Sequence, residues 1–200
     1  MVGIPEASAK TVDKHLPSIL KNEATGILAD LICQPALAGS AMFLTESDGN
    51  KIIDYIIQIF ETCRREGSLK FIVSESEGAL FGYSMFFESP APHMSCYCHK
   101  IYVFDQYRGM GFGSQIFAAT LQQRPKIRLL CRHELVPFYE KLSLEYQGEF
   151  TPPSSEEGFA HTRGMYGGLA VMASPNAGPG PVFMLNDDDI KNIRALIVGR

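Results

Sequence analysis

The stretch Arg108-Gly109-Met110-Gly111-Phe112-Gly113-Ser114 has the residue types and spacing best suited to chemistry. It follows the apolar run Ile101-Tyr102-Val103-Phe104 and opens the helix-like run Gln115-Ile116-Phe117-Ala118-Ala119-Thr120-Leu121. A strand, a glycine turn and a helix N-terminus in that order make an anion site. The first-turn amides have no intrahelical acceptor, and the helix dipole puts roughly half a positive charge there. Glycines let a phosphate approach the backbone with no side chain in the way. Two other residues offer proton chemistry. His99 stands on the strand before the loop, and an ordinary imidazole accepts a proton near neutral pH. Tyr139 stands in Leu135-Val136-Pro137-Phe138-Tyr139, and a phenol is protonated at neutral pH and can donate.

The elements that must position these residues can be read from pattern. Ile53, Ile56, Ile57 and Phe60 fall on one helical stripe and Asp54, Gln58, Glu61 and Arg65 on the other, with Ser47 and Asp48 as caps. Lys70–Val73 and Leu80–Phe87 flank the polar turn Ser74–Gly78 and predict a hairpin. Cys96–Phe104 reads as a long central strand, and Lys126–Cys131 as a second buried one. Arg124-Pro125 stops the intervening helix, and Leu135–Leu142 is a short helix with Pro137 in its first turn. Before residue 40 the apolar spacing suits one or two helices, interrupted at Gly26 and Pro35. Glu149–Phe159 is a polar stretch containing prolines, Val182–Leu185 is a candidate last strand, and Asn186-Asp187-Asp188-Asp189 opens a final helix. This order predicts an α/β (α+β) fold with a mixed sheet and helices on both faces.

Composition narrows the partners. The 200 residues carry a net charge of −4 and 46% hydrophobic residues, which suits a globular chain. The sequence has no basic stripe for tracking nucleic acid, and no apolar run approaches the roughly 18 residues of a membrane span. Cys33, Cys63, Cys96, Cys98 and Cys131 are odd in number and scattered, so no disulfide framework is expected. With no visible signal peptide, a reduced, cytoplasmic location is expected. Cys96 and Cys98 on one strand with His99 and Cys131 do not have zinc-knuckle spacing, so no metal is expected.

Arg108, Gly111 and Gly113 meet the pattern Arg-x-x-Gly-x-Gly, which resembles the acetyl-CoA pyrophosphate loop of the GNAT acetyltransferase superfamily. Leu130–Leu142 is similar to the strand and helix that carry that family's tyrosine. Its wording, Cys131 then Leu135-Val136-Pro137-Phe138-Tyr139, is closest to the arylalkylamine (serotonin) N-acetyltransferases. The resemblance covers about residues 70–150. It implies a mostly antiparallel GNAT-like sheet in one domain over residues 1–200, with an N-terminal extension to about residue 40 and an atypical segment from about 151.

The resemblance also implies site residues. The backbone of Ile101, Tyr102 and Val103 would run beside the pantetheine arm. Arg108, Gly109, Met110, Gly111, Phe112, Gly113 and Ser114 would hold the pyrophosphate, and Tyr139 would sit near the CoA sulfur as acid. Of the arylalkylamine enzymes' His-x-His pair, His99 matches the second histidine, as candidate base, and Tyr97 stands at the first. Ser143-Leu144 replaces that family's Gly-Phe. The implied activity is direct acetyl transfer from acetyl-CoA to a primary amine, a small aryl- or polyalkylamine, by a monomer or homodimer. A protein lysine or N-terminal acetyltransferase and a CoA-binding regulatory domain without turnover stand beside it as alternatives.

Overall fold

The computed structural model describes residues 9–35, 37, 44–91 and 93–198. These contain helices α1 (Ala9–Ile32), α2 (Glu46–Arg65), α3 (Phe112–Gln123), α4 (Val136–Glu140), α5 (Arg163–Tyr166) and α6 (Asp187–Val198). The strands are β1 (Leu69–Ser76), β2 (Ala79–Phe87), β3 (Cys96–Val103), β4 (Ile127–Cys131), β5 (Glu145–Glu149) and β6 (Ala170–Ala173). They form one sheet in the order β1-β2-β3-β4-β6-β5. Only β3–β4 is parallel among the described pairings, so the sheet is mixed and mostly antiparallel, as the sequence predicts.

The chain groups into two compact units. The first, residues 1–17, 63–149 and 169–183, holds the whole sheet with α3 and α4. Its hairpin closes at Glu77 and Gly78, which both have positive φ, the geometry that matches strand twist in a two-residue turn. Helix α3 lies on one face of β2. Ile116 comes against Gly82, and Ser84 donates to Thr120 Oγ1 at 2.8 Å while Thr120 donates to the Ile116 carbonyl at 2.9 Å. A Cβ at Gly82 would stand 2.3 Å from the Tyr102 carbonyl oxygen, so the helix and strands approach closely only because this residue has no side chain. The same face carries a core of Phe86, Cys96, Cys98, Phe117, Ile127, Leu129, Cys131, Tyr139, Leu144, Ala170 and Met172.

Strand β5 is one edge of the sheet, opposite β1, with exposed Glu145 and Glu149 at its ends. It has a register break between Tyr146 and Gly148, and φ is +112° at Gly148. The expected strand at Val182–Leu185 does not form. The strand beyond β4 is instead Ala170–Ala173, an unalternating apolar run buried throughout between β4 and β5. The segment after it is irregular because it is tied down locally. Ser174 exchanges bonds with Ile127, Arg128 donates to the Gly178 carbonyl at 3.3 Å, and Ser95 donates to the Pro179 carbonyl at 2.7 Å.

The second unit, residues 18–62, 150–168 and 184–200, is mostly helical. Helix α1 runs through both Pro17 and Gly26, where an interruption at Gly26 was expected. Burial of Ile19, Leu20, Ala24 and Leu31 on one stripe outweighs the roughly 1 kcal/mol that glycine costs a helix. On α2 the buried stripe is Ile52, Ile56 and Phe60; Ile56 and Phe60 are as expected, whereas Ile53 and Ile57 are only partly buried. The N-cap of α2 is Thr45, which exchanges bonds with Asp48. Tyr55 donates to Asp189 at 2.8 Å, and Asp187 accepts from the amides of Ala160 and His161 at 2.9 and 2.8 Å. These bonds join the residue 150–168 segment and α6 to α2. No described helix is long and apolar enough to cross a membrane.

Candidate functional site

Strand β3 decides the geometry. It pairs with β2 to its end, Gly82 against Val103, but with β4 only from Cys96 to Cys98. The parting coincides with a bulge. Met85 pairs with Lys100 and Phe86 with Cys98, so His99 is one residue more than β2 can match. A bulge increases local twist and bends its strand, and it turns the rest of β3 away from β4. From Lys100 to Val103, alternate backbone amides therefore face the side that β4 has left.

The glycine turn lies past the end of this open strand. Arg108 is extended, Gly109 has φ of +78°, and Gly111, at +82°, is the N-cap of α3. The first helical bond runs from Gln115 to the Gly111 carbonyl at 3.2 Å, so the amides of Phe112, Gly113 and Ser114 precede the ladder. Residues 108–111 are exposed, which leaves those amides accessible to an anion. The Arg108 side chain donates to the Val103 carbonyl at 3.1 Å, pairs with Asp105 at 2.7 Å and lies 5.7 Å from the Tyr102 ring centre. It therefore folds back along the turn.

Tyr139 stands beside the opening. Helix α4 begins at Val136 with Pro137 in its first turn, as expected, and buries Tyr139 edge-on to Phe117 at 5.6 Å and Phe138 at 5.0 Å. Burial, with Cys98 and Cys131 close by, pushes the phenol well above its ordinary range. Burial also raises the Cys131 thiol to about 11. This side of the gap opposes negative charge and keeps its acids protonated.

The other side carries His99. Tyr97 and His99 share a face with Phe87, and rings surround the imidazole: Phe183 at 5.2 Å, Phe87 at 5.8 Å and Tyr97 at 5.9 Å. Burial, with a smaller contribution from Lys100, holds His99 down at about 3. Held this low, His99 is a poor base toward an alkylammonium, whose ordinary pKa is near ~10.4. Phe183 was not among the sequence-derived site residues. Its ring comes from the irregular segment after β6, and no local pattern connects it to His99.

Residues 67–142 match the family described as Acetyltransferase (GNAT) domain. The match holds β1 to α4, and with them the bulge, the glycine turn and Tyr139. No curated protein matches the chain. Among solved structures, it is similar to spermidine N-acetyltransferase SpeG of Vibrio cholerae, in a single-site variant, at 19% identity and a TM-score of 0.48, covering 62% of this chain and 75% of that one. It is similar to nourseothricin acetyltransferase at 17% identity and a TM-score of 0.42, covering 55% and 66%. It is also similar to Escherichia coli ElaA at 17% identity and a TM-score of 0.41, covering 53% and 68%. The chain thus spans about two thirds of the length of the last two.

Proposed function

We propose that the chain is an N-acetyltransferase that moves acetyl directly from acetyl-CoA to a small primary amine. One observation carries this reading: a parallel strand pair parts at a bulge, with accessible helix-start amides past its end and a protonated tyrosine beside the gap. The residues suit the co-substrate. Gly109 and Gly111 adopt positive φ, which other residue types rarely do, and so bring the amides of Phe112, Gly113 and Ser114 to a surface where a pyrophosphate can bind. Backbone groups of Ile101, Tyr102 and Val103, freed from β4, suit an amide-bearing arm.

Acetyl-CoA supplies the activated thioester. The chain's part is to orient it, to stabilise the developing oxyanion with a β3 amide that has no ladder partner, and to donate the Tyr139 proton to the departing sulfur, the proton lost by the attacking nitrogen as the amide forms returning to the Tyr139 oxygen. His99 suits a different role from that of base. It is uncharged and set among rings, so it can accept a hydrogen bond from an amine that arrives neutral. The same apolar surroundings disfavour the ammonium form of the acceptor, which lowers the cost of losing its proton.

Mass spectrometry over a panel of amines with acetyl-CoA tests the activity, with calorimetry of CoA binding beside it. Gly111→Asp is expected to remove CoA binding, because it forces a side chain onto a positive-φ residue and sets a negative charge beside the pyrophosphate. Unchanged affinity would overturn the assignment of the glycine turn.

A further inference from the structure

We propose that a cavity at the starts of β3 and β4, at the opposite end of α3 from the glycine turn, binds a small carboxylate with an apolar body. Such a site lies outside the machinery of acetyl transfer and does not depend on that reading.

Three element ends make the cavity. Strand β2 stops at Phe87, and the Glu88 amide donates to the Ser68 carbonyl at 2.7 Å. Strand β3 starts where the Cys96 amide donates to the Lys126 carbonyl at 2.9 Å. Helix α3 stops at Gln123, shortly before Pro125, which has no amide hydrogen to offer. Between these ends lies a space of about 340 Å³, with Glu88, Met94, Cys96, Arg124, Pro125 and Lys126 among its walls. The 12 residues of α3 put it about 18 Å from the turn at Gly111.

The charged groups are already arranged for an anion. Arg124 is held on three sides: its Nε donates to Glu88, its Nη1 donates to the Gln123 carbonyl at 2.9 Å, and its guanidinium lies 5.7 Å from the Phe86 ring centre. Glu88 and Arg124 offset each other, and the exposed Lys126 leaves the lining with one positive charge in excess. A guanidinium has five N–H donors, of which these bonds use two, so a carboxylate can take Nη2 while Lys126 adds a second cation. The rest of the wall suits hydrocarbon. Met94 and Pro125 carry no charge, and burial, with Glu88 nearby, pushes the Cys96 thiol up to about 12, so it stays protonated. One carboxylate answers the excess charge, and a short apolar body covers the remainder. An ammonium on the same ligand would meet a Glu88 already engaged by Arg124, and its lost hydration would go uncompensated.

The test uses three probes with one carbon skeleton: hexanoate, hexanamide and norleucine. Each is titrated into the full chain and followed by amide NMR, with and without saturating CoA. Hexanoate is expected to shift the amides of Glu88, Cys96, Arg124 and Lys126 with a Kd of about 1 mM. Hexanamide should bind at least about tenfold more weakly, and norleucine no more tightly than hexanoate. CoA should change the hexanoate Kd by no more than about twofold, because the two sites are separate. Arg124→Lys should weaken hexanoate binding by about tenfold, since it trades a planar fork for a point charge. If that variant fails to fold, Lys126→Gln, at an exposed position, should weaken hexanoate by about threefold and leave hexanamide unchanged. No shift at these amides up to about 20 mM hexanoate, equal binding of hexanamide, displacement by CoA, tighter binding of norleucine, or wild-type affinity in Lys126→Gln would each overturn the proposal and leave the transferase reading standing.

Discussion

The two sides of β3 at the bulge are built from opposite materials. One carries Tyr139, Cys98 and Cys131, acids that burial keeps protonated inside the core. The other carries His99 among Phe87, Tyr97 and Phe183, a base that burial keeps unprotonated. The same low polarity acts on both, and the sign of the effect depends on which form bears the charge. In the reaction proposed, Tyr139 serves as donor on one side of the gap and His99 as neutral acceptor on the other. Proton inventory at such a site is set by desolvation, so it changes little across the physiological pH range.

Removing the donor should have the largest effect on this contrast. Tyr139→Phe is expected to lower kcat by about 10²-fold while CoA affinity holds, measured by single-turnover transfer and calorimetry. An unchanged rate would mean that the Tyr139 side of the gap contributes packing alone. Gly82→Ala should come next, through the scaffold. The added carbon meets a backbone oxygen, so about 3 kcal/mol of stability should be lost in denaturant titration, and a variant as stable as wild type would show that α3 does not hold β3 in place.

His99 should give the smallest and most diagnostic effect. Its folded value of about 3 lies below its unfolded value, so the unfolded chain binds the extra proton between those limits. Stability from this group is therefore present above about pH 6.5 and lost as pH falls toward 3, at up to about 1.4 kcal/mol per unit. His99→Gln should flatten that part of the melting-temperature profile. An identical acid slope in the variant would show that the imidazole is solvated.

What was legible in the sequence was local. The glycine turn shows because positive φ at Gly109 and Gly111 demands that residue, and the tyrosine helix because Pro137 fits its first turn. The hairpin shows because two apolar runs flank a polar turn. The less legible parts depend on distant partners. The bulge at His99 exists only relative to β2, whose sequence has nothing to mark the mismatch. Strands β5 and β6 pair across an inserted segment of 150–168, so neither resembles half of a hairpin. Ala170–Ala173 is a short apolar run bounded by Gly168 and Ser174, a readable strand signal that the more conspicuous Val182–Leu185 displaced. Phe183 belongs to the site through its fold position alone.

The edge strand β5 has a consequence for the protein at high concentration. Its acidic ends would repel a like strand laid alongside, and the kink at Gly148 breaks the regular row of amides and carbonyls that such a neighbour would need. Lateral growth of the sheet into fibrils is obstructed at this margin, so crowding should leave the protein dispersed there.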